Sequence, residues 1–206
     1  MKIKKAKPQQ WITIEDRDSA KKQKKYALLC AGRDVLDLGG VDGAFIGICM
    51  EAGAKSVISV DRAPLDKRVI RADVIKYLKT TKKKFGAVHA RHIIEHLKPE
   101  DAVLMMKNVL KRLRPGGIFI IVTQNPKNLS VGTAGFWEDF EHVRPYPMAA
   151  VCRNLENNGF GILKSEQDND SWDNNPVKRI VRAIRSLITG IPYEAPDYFI
   201  VAVKKN

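Results

Sequence analysis

Cysteines and long apolar runs are scarce in this chain. Its three cysteines, Cys30, Cys49 and Cys152, are odd in number and lack Cys-x-x-Cys spacing. This excludes a disulfide framework or a cysteine-based zinc site and fits reduced thiols packed as small apolar side chains. The longest apolar runs, such as residues 118–122, have strand length and fall far short of the roughly 20 residues of a membrane-spanning helix. The basic N-terminus has no apolar signal core, so we expect a cytoplasmic protein.

Acidic residues are outnumbered by basic ones, which gives a net charge of +13. Residues 1–25 hold nine basic and three acidic side chains, and residues 177–189 hold four basic and none acidic. A third basic cluster lies at residues 76–84. Such a surface favours anionic partners: an anionic small-molecule, glycan or lipid-linked substrate, RNA, or an anionic membrane. Lysines that only solubilise the protein are the alternative.

Segments typical of strands and helices alternate along a chain whose length and 44% apolar content suit a single α/β domain. Predicted strands cover residues 34–38, 56–60, 68–71, 86–90, 118–123, 161–166 and 198–204, and predicted helices cover 19–31, 44–52, 74–80, 99–113 and 147–158. This alternation predicts a doubly wound, mostly parallel sheet with helices on both faces. We expect residues 1–18 to form a basic arm, 168–176 a loop, and 170–195 a lid or insertion before the last strand.

A glycine-rich turn between two apolar segments is the most informative part of the chain. Val35–Leu38 precedes Gly39, Gly40 and Gly43, and the next apolar segment ends at Asp61. Glycines let the backbone approach a ligand closely, and a carboxylate at the end of the second strand can accept hydrogen bonds from a ribose. We therefore predict a nucleotide-binding βαβ unit. The glycines satisfy Gly-x-Gly-x-x-Gly in no register, which argues against a nicotinamide dinucleotide.

The spacing Asp37-x-Gly39-x-x-x-Gly43 resembles motif I of the class I S-adenosylmethionine-dependent methyltransferases. Four further segments resemble that family and occur in its order: Asp61-Arg62, Ala72-Asp73-Val74, residues 85–97 with their Glu95-His96-Leu97 ending, and residues 110–119 with a Pro-Gly-Gly turn. Each segment alone is a weak signal, but five in order are a strong one. The resemblance implies a seven-stranded Rossmann-like sheet with an antiparallel edge hairpin. It also implies S-adenosyl-L-methionine as cofactor and S-adenosyl-L-homocysteine as product.

The same resemblance implies roles for particular residues. Asp61 would hold the ribose hydroxyls, Asp73 would accept from the adenine amino group, and the backbone N–H of Val74 would meet a ring nitrogen. Asp37 would contribute to the polar surroundings of the sulfonium. The cofactor-binding residues predicted in this way are Asp37, Gly39, Gly40, Gly43, Asp61, Arg62, Asp73, Val74 and Arg91. The alternative is structural, with the acids capping turns and the glycines only forming them.

Histidines provide the candidate catalytic groups. His92, Glu95 and His96 have the spacing of one helical face, and His142 follows later in the chain. These four residues resemble the Glu-x-x-Glu-His ligands of metal-dependent O-methyltransferases, whereas hydrogen bonding at a helix start is the commoner role. We predict no metal ligand, and we predict His96 or His142 as the general base, because an imidazole can accept a proton near neutral pH.

Two further segments are candidates for contact with the substrate or with a membrane. The sequence from His142 to Tyr146 resembles a segment that closes over the substrate, so Arg144 and Tyr146 either meet an anionic or sugar-like group or anchor the loop. Residues 177–188 carry apolar side chains at 177, 180, 181, 184, 187 and 188, with a basic opposite face. We expect this helix to pack as a lid or on the sheet with its arginines in water, and peripheral contact with an anionic membrane is the alternative.

These observations predict an S-adenosylmethionine-dependent methyltransferase that acts on a small or carrier-linked glycan, lipid or metabolite. RNA methylation is an alternative that only the positive charge supports, because aromatic residues with base-stacking spacing are not evident. A cofactor-binding but catalytically inactive partner protein is a second alternative. The sequence leaves the acceptor atom and the oligomeric state open.

Overall fold

The computed structural model describes residues 16–169 and 176–205. Helices and strands alternate along most of this length. In chain order they are α1 Asp16–Leu28, β1 Asp34–Leu38, α2 Ala44–Glu51, β2 Ser56–Asp61, β3 Val69–Arg71, α3 Val74–Thr80, β4 Phe85–Arg91, α4 Pro99–Arg112, β5 Leu113–Gln124, α5 Met148–Asn157, β6 Phe160–Gln167, α6 Pro176–Thr189 and β7 Asp197–Lys204. A 3₁₀ turn at Ile94–His96 follows β4, and a π-helical turn at Val131–Gly135 follows β5.

The seven strands form one sheet in the order β3-β2-β1-β4-β5-β7-β6. Strands β1 to β5 pair in parallel, whereas β7 runs antiparallel to both β5 and β6. This confirms the doubly wound sheet with an antiparallel edge. The strand order reverses between β1 and β4, so a ligand crevice is expected at the carboxyl ends of these two strands.

Both faces of the central strands are buried, which explains their nearly continuous apolar sequences. In β1, Leu36 and Leu38 point into the core layer that contains side chains of α3, α4 and α5. Val35 points to the opposite layer, which includes side chains of α1 and α2. Alternation along a strand thus divides one apolar segment between two cores and fixes the carboxyl end of β1 between two helical layers.

Most predicted boundaries lie within a few residues of the observed ones, and β5 is the exception. It begins at Leu113 and not at residue 118, because Leu113 pairs with Phe85 ahead of an irregularity in the β4–β5 register. The Pro-Gly-Gly turn occupies this irregularity, with Gly116 at φ 68°. The helix ends at Arg112, before this turn, and the turn itself lies inside the strand.

The predicted N-terminal arm and the predicted loop at residues 168–176 are only partly described by the structure. Residues 1–15 of the predicted arm and residues 170–175 of the predicted loop lie outside the described residues. Asp168 begins that loop, yet it is buried and accepts hydrogen bonds from the hydroxyl of Tyr26 and the amine of Lys25. Burial, together with the adjacent Asp168 carboxylate, raises the pKa of the Tyr26 hydroxyl. Asp168 therefore fastens α1 to the end of β6.

Helix α6 also corrects an expectation. Its apolar side chains were predicted to pack against the sheet, but those of Ile180, Ile184 and Leu187 are more than half exposed. The expectation that the apolar face of this helix packs inward with its arginines in water is therefore wrong, whereas the lid or insertion at 170–195 stays a prediction. Among the described helices, none has both the length and the apolar character needed to cross a bilayer.

Candidate active site

The glycine turn after β1 is shaped by two residues in the left-handed region. Gly39 has φ 82° and Gly43 has φ 68°, a conformation that side-chain-bearing residues rarely adopt. The Gly39 N–H donates to the Val60 carbonyl at 2.8 Å. A Cβ at Gly39 would lie 2.2 Å from Cδ1 of Ile93, so the turn packs directly against the segment that follows β4. Gly43 then begins α2 as its N-cap.

Asp37 supports this turn from inside the protein. Its Oδ2 accepts a hydrogen bond from the Ser59 hydroxyl at 2.7 Å, and its Oδ1 lies 2.8 Å from Nδ1 of His89. The residue is only 2% exposed, and a Cβ at Gly40 would lie 2.3 Å from its Oδ2. Phe45 stacks on the His89 ring with centroids 3.9 Å apart. Both carboxylate oxygens therefore have partners in the interior, which gives Asp37 a role in bracing the loop.

Asp61 lies at the carboxyl end of β2, where the sequence predicted a ribose contact. Its Oδ1 accepts from the Ala63 N–H at 2.7 Å, whereas its Oδ2 has no hydrogen-bond partner among the described residues. A ligand hydroxyl can therefore bind to Oδ2 without displacing the turn. Arg62 points elsewhere, since its guanidinium pairs with Glu141 on the surface.

The residues predicted to meet the adenine lie at the start of α3. Asp73 is its N-cap, with Oδ1 accepting from the Lys76 N–H at 2.8 Å. The Val74 side chain packs into the core, and Val74 is the first residue of the helix. The backbone N–H groups of a first helical turn lack intrahelical partners, so the N–H of Val74 is a donor suited to a ligand. Asp73 serves as a cap through Oδ1 and is an exposed residue, so its second oxygen can accept from an amino group.

A buried ionic cluster lies just beyond β4. His92 adopts φ 51°, its Nδ1 lies 2.9 Å from Oε1 of Glu95, and its Nε2 lies 3.6 Å from Oδ2 of Asp197. The Thr123 hydroxyl donates to the second oxygen of Glu95 at 2.9 Å. Burial disfavours the protonated form of His92. The interactions with Asp197 and Glu95 together outweigh burial and raise the pKa of His92. Arg91, at the end of β4, is close enough to oppose that protonation.

The two acidic members of this cluster respond in opposite directions. Burial is the largest single influence on Glu95 and favours its protonation, but the hydrogen bond and charge of His92, together with hydrogen bonds from its own backbone and from Thr123, outweigh burial and lower the pKa of this carboxyl. Burial raises the pKa of Asp197, while His92 and Arg91 act against that rise. The arrangement keeps His92 and Glu95 paired with one another, and the pair fixes the backbone from which the 3₁₀ turn begins.

His96 and His142 come together on the same side of the crevice. Their ring centroids are 4.7 Å apart. His142 Nδ1 lies 2.6 Å from the Phe136 carbonyl, and because a carbonyl only accepts, Nδ1 donates and Nε2 keeps the lone pair. The segment containing His142 is held to the 3₁₀ turn by a hydrogen bond from the Val143 N–H to the Glu95 carbonyl at 2.8 Å.

A metal held by His92, Glu95, His96 and His142 was the alternative interpretation of these histidines. In the described part of the chain, the group whose potential ligand atoms converge is His96, Asp139 and His142, all within 4.8 Å of one another. His142 Nε2 is 3.9 Å from the nearest Asp139 oxygen, wider than the roughly 3–3.5 Å between ligands bound to one ion at about 2 Å. Since His92 and Glu95 bind each other, the four residues do not point at a common centre.

Tyr146 and Arg144 have the anchoring role that the sequence left open. The Tyr146 hydroxyl donates to the Leu97 carbonyl at 2.8 Å, and the Tyr198 hydroxyl donates to the Tyr146 carbonyl at 2.6 Å. Arg144 lies over the Tyr146 ring, 5.1 Å from its centroid. The loop from residue 137 to residue 147 is therefore fixed at its far end, with His142 near its centre.

Sequence reasoning did not select Ser59, His89, Asp139 or Asp197. Ser59 and His89 are polar residues inside otherwise apolar strands, and such an interruption is a signal of a buried polar contact. Asp197 and Asp139 carry no comparable signal, because their neighbours come from distant parts of the chain.

Comparison with known proteins shows what this chain is similar to. A family described as a methyltransferase domain matches residues 5–165. A curated protein of Mycolicibacterium smegmatis, described as a "Probable S-adenosylmethionine-dependent methyltransferase", is 29% identical over 147 residues, or 67% of this chain. The match covers 56% of that relative, so this chain spans about half the length of the curated protein.

Solved structures share the fold. The crystal structure of a SAM dependent methyltransferase from Archaeoglobus fulgidus has a TM-score of 0.72 at 25% identity, over 90% of this chain and 93% of that one. The N-methyltransferase NodS from Bradyrhizobium japonicum WM9, in complex with S-adenosyl-L-homocysteine, has a TM-score of 0.62 at 12% identity, over 95% and 90% of the two chains. At 12% identity, the similarity to NodS shows a shared fold alone.

Proposed function

The chain belongs to the class I S-adenosylmethionine-dependent methyltransferase family, and from that premise we propose that it methylates a small or carrier-linked acceptor of anionic character. Family membership confirms S-adenosyl-L-methionine as the cofactor predicted from the sequence. The acceptor class and the roles of individual residues are parts of the proposal.

One observation carries the proposal: three sets of groups converge at the carboxyl edge of the sheet, where the strand order reverses. They are the left-handed glycine turn after β1, the Oδ2 of Asp61 after β2, which has no hydrogen-bond partner among the described residues, and the His96–His142 pair beyond β4. This donor and acceptor set fits a nucleoside cofactor, because a ribose needs an acceptor at β2 and an adenine needs donors such as the N–H of Val74. Asp61, Asp73 and the turn at residues 39–43 would hold it.

Methyl transfer requires little covalent chemistry from the protein itself. Bound S-adenosylmethionine supplies a methyl group that is already electrophilic. The protein must then orient the acceptor and remove its proton. His142 is suited to the second task, because the Phe136 carbonyl fixes its Nδ1 proton and leaves the Nε2 lone pair to accept one. His96, beside it, is the second candidate base.

The acceptor preference rests on charge. The chain carries a net charge of +13, with basic clusters at residues 76–84 and 177–189. A basic surface of this kind favours an anionic acceptor over a neutral one. A phosphate-, carboxylate- or sugar-acid-bearing acceptor is the class that this surface fits.

Methyl transfer into fractionated cell extract tests the proposal. Protein incubated with a radiolabelled methyl donor should label small anionic solutes, glycans or lipid-linked material. His142→Gln should reduce turnover about 10²–10⁴-fold, the range for loss of a general base, while binding the cofactor as the unmodified protein does. Glu156→Gln on the exposed face of α5 serves as the control. Label that enters RNA alone, or no transfer to any fraction despite cofactor binding, would overturn the proposal.

A further inference from the structure

Helix α6 presents its apolar face outward. Ile180, Val181 and Ile184 are 60%, 58% and 51% exposed, and Leu187 and Ile188 are 85% and 78% exposed. Helical geometry places these five side chains on one face about a third of the circumference wide. Single exposed apolar residues are ordinary on protein surfaces, but five neighbouring ones on one helix mark an interaction surface.

The polar side of α6 faces the protein. Arg182 and Ser186 are partly buried, and together with Arg185 they line a cavity of about 170 Å³ next to residues 127–131, the segment that follows β5. The Arg182 guanidinium lies 4.5 Å from the centroid of the Tyr193 ring. This orientation is the reverse of that in a helix packed on a hydrophobic core, so burial within the described fold does not explain the apolar face.

Charge identifies what covers this face. Residues 177–189 include Lys178, Arg179, Arg182 and Arg185 without a single acid, and Lys127 lines the adjoining cavity. A protein partner with an apolar groove would be bound by the apolar face alone. An anionic bilayer matches both features, because it takes up apolar side chains to a depth of about 5–10 Å and attracts the flanking cations at its surface.

We propose that α6 is an interfacial helix that docks the protein on an anionic lipid bilayer, with Ile180, Val181, Ile184, Leu187 and Ile188 inserted and the exposed Arg185, at the border of this apolar face, at the headgroups. The helix has 14 residues, which suits a position in the membrane plane. The segment after β5 starts at the same sheet edge as the cofactor crevice, so docking through α6 brings that edge towards the membrane surface. An acceptor carried by a lipid would then reach it without leaving the bilayer.

Vesicle co-sedimentation of the full chain tests this inference. We compare vesicles of phosphatidylcholine alone with vesicles in which about one third of the lipid is phosphatidylglycerol. The unmodified protein should partition at least tenfold more strongly onto the anionic vesicles, and added salt should weaken this binding. The double variant Ile184→Ser/Leu187→Ser should lose at least tenfold in partition, and Arg185→Gln should lose less.

The matched control variants replace two exposed leucines that lie outside α6. Leu65→Ser and Leu163→Ser change side chains that are 64% and 62% exposed, and both variants should partition like the unmodified protein. Calorimetry with S-adenosylhomocysteine should give the same affinity for all variants, which separates failure of docking from failure of the cofactor site. Equal binding to both vesicle types, no loss in the double variant, or a dimer in sedimentation analysis that the double variant abolishes without any vesicle binding would overturn the inference.

Discussion

At the scale of single residues, Asp61 gives the most direct test of the cofactor contact. Asp61→Ala removes the acceptor of the predicted ribose hydrogen bonds and should weaken cofactor binding by about 1–3 kcal/mol, the range for an unpaired partner at a charged contact. Asp61→Asn keeps an oxygen for the Ala63 N–H and should still lose much of that affinity, since a neutral amide is a weaker acceptor than a carboxylate. Calorimetry with S-adenosylhomocysteine measures both variants.

Asp34→Asn is the control for this pair, because Asp34 lies at the amino end of β1, at the opposite edge of the sheet, where its contacts are with Ser56 and Arg114. Its affinity for S-adenosylhomocysteine should equal that of the unmodified protein. Unchanged affinity in both Asp61 variants would remove this residue from the site.

His92 makes a prediction about stability and pH. Its pKa is raised in the folded protein, so its contribution to stability is complete below the unfolded-state value near 6.5 and is lost as the pH rises through the higher folded-state value. The charged groups that face it are Glu95, Asp197 and Arg91. The free energy of unfolding should therefore decline above about pH 6.5.

Urea denaturation across this pH range distinguishes His92 from other groups. His92→Gln should remove the decline, and Asp197→Asn should reduce it, because Asp197 stabilises the protonated imidazole. If the curves of His92→Gln and the unmodified protein run parallel, the cluster does not hold the proton as described.

At the scale of elements, the glycine turn after β1 leaves no room for a side chain at Gly40. A Cβ at Gly40 would lie 1.7 Å from the Ser59 hydroxyl oxygen, whereas a Cβ at Gly47 in α2 would meet no atom within 4 Å. Gly40→Ala should therefore destabilise the fold by about 1–3 kcal/mol through overpacking. Gly47→Ala should stabilise it by about 0.5–1 kcal/mol, because alanine is the better helix former.

Urea denaturation of the two variants compares the same chemical change in two environments. Cofactor affinity should fall in Gly40→Ala alone, since that substitution displaces Asp37 and the turn. Equal stability of the two variants would mean that Gly40 is not in close contact with Ser59.

Some elements could be predicted from sequence because their signals are local. The bounds of β1 and α3 match the predicted ones, since Asp73 caps α3 and the apolar segment of β1 ends at the glycine turn. The orientation of α6 could not be predicted, because an amphipathic pattern fixes which face is apolar and not whether that face is covered. The early start of β5 depends on pairing with Phe85, which is a non-local contact.

At the scale of the whole molecule, the sheet class followed from alternating strands and helices, whereas contacts between distant segments did not. Asp168 lies 142 residues from Tyr26 along the chain, yet its carboxylate accepts from the Tyr26 hydroxyl. The His92–Asp197 contact likewise joins β4 to β7 across the sheet. The cofactor side of the site could be predicted from short sequence motifs that resemble the family, and it stays a prediction, whereas the partners of His142 lie at a distance along the chain and became visible only in the fold.

The central claim is that S-adenosylmethionine lies across the carboxyl ends of β1, β2 and β4, and a crystal structure with S-adenosylhomocysteine tests it most directly. The account predicts ligand density over the turn at residues 39–43, with the ribose hydroxyls on Oδ2 of Asp61 and the sulfur on the side that holds His142. Density for the ligand at another place on the protein, or crystals grown with saturating ligand in which side chains close this crevice, would contradict it.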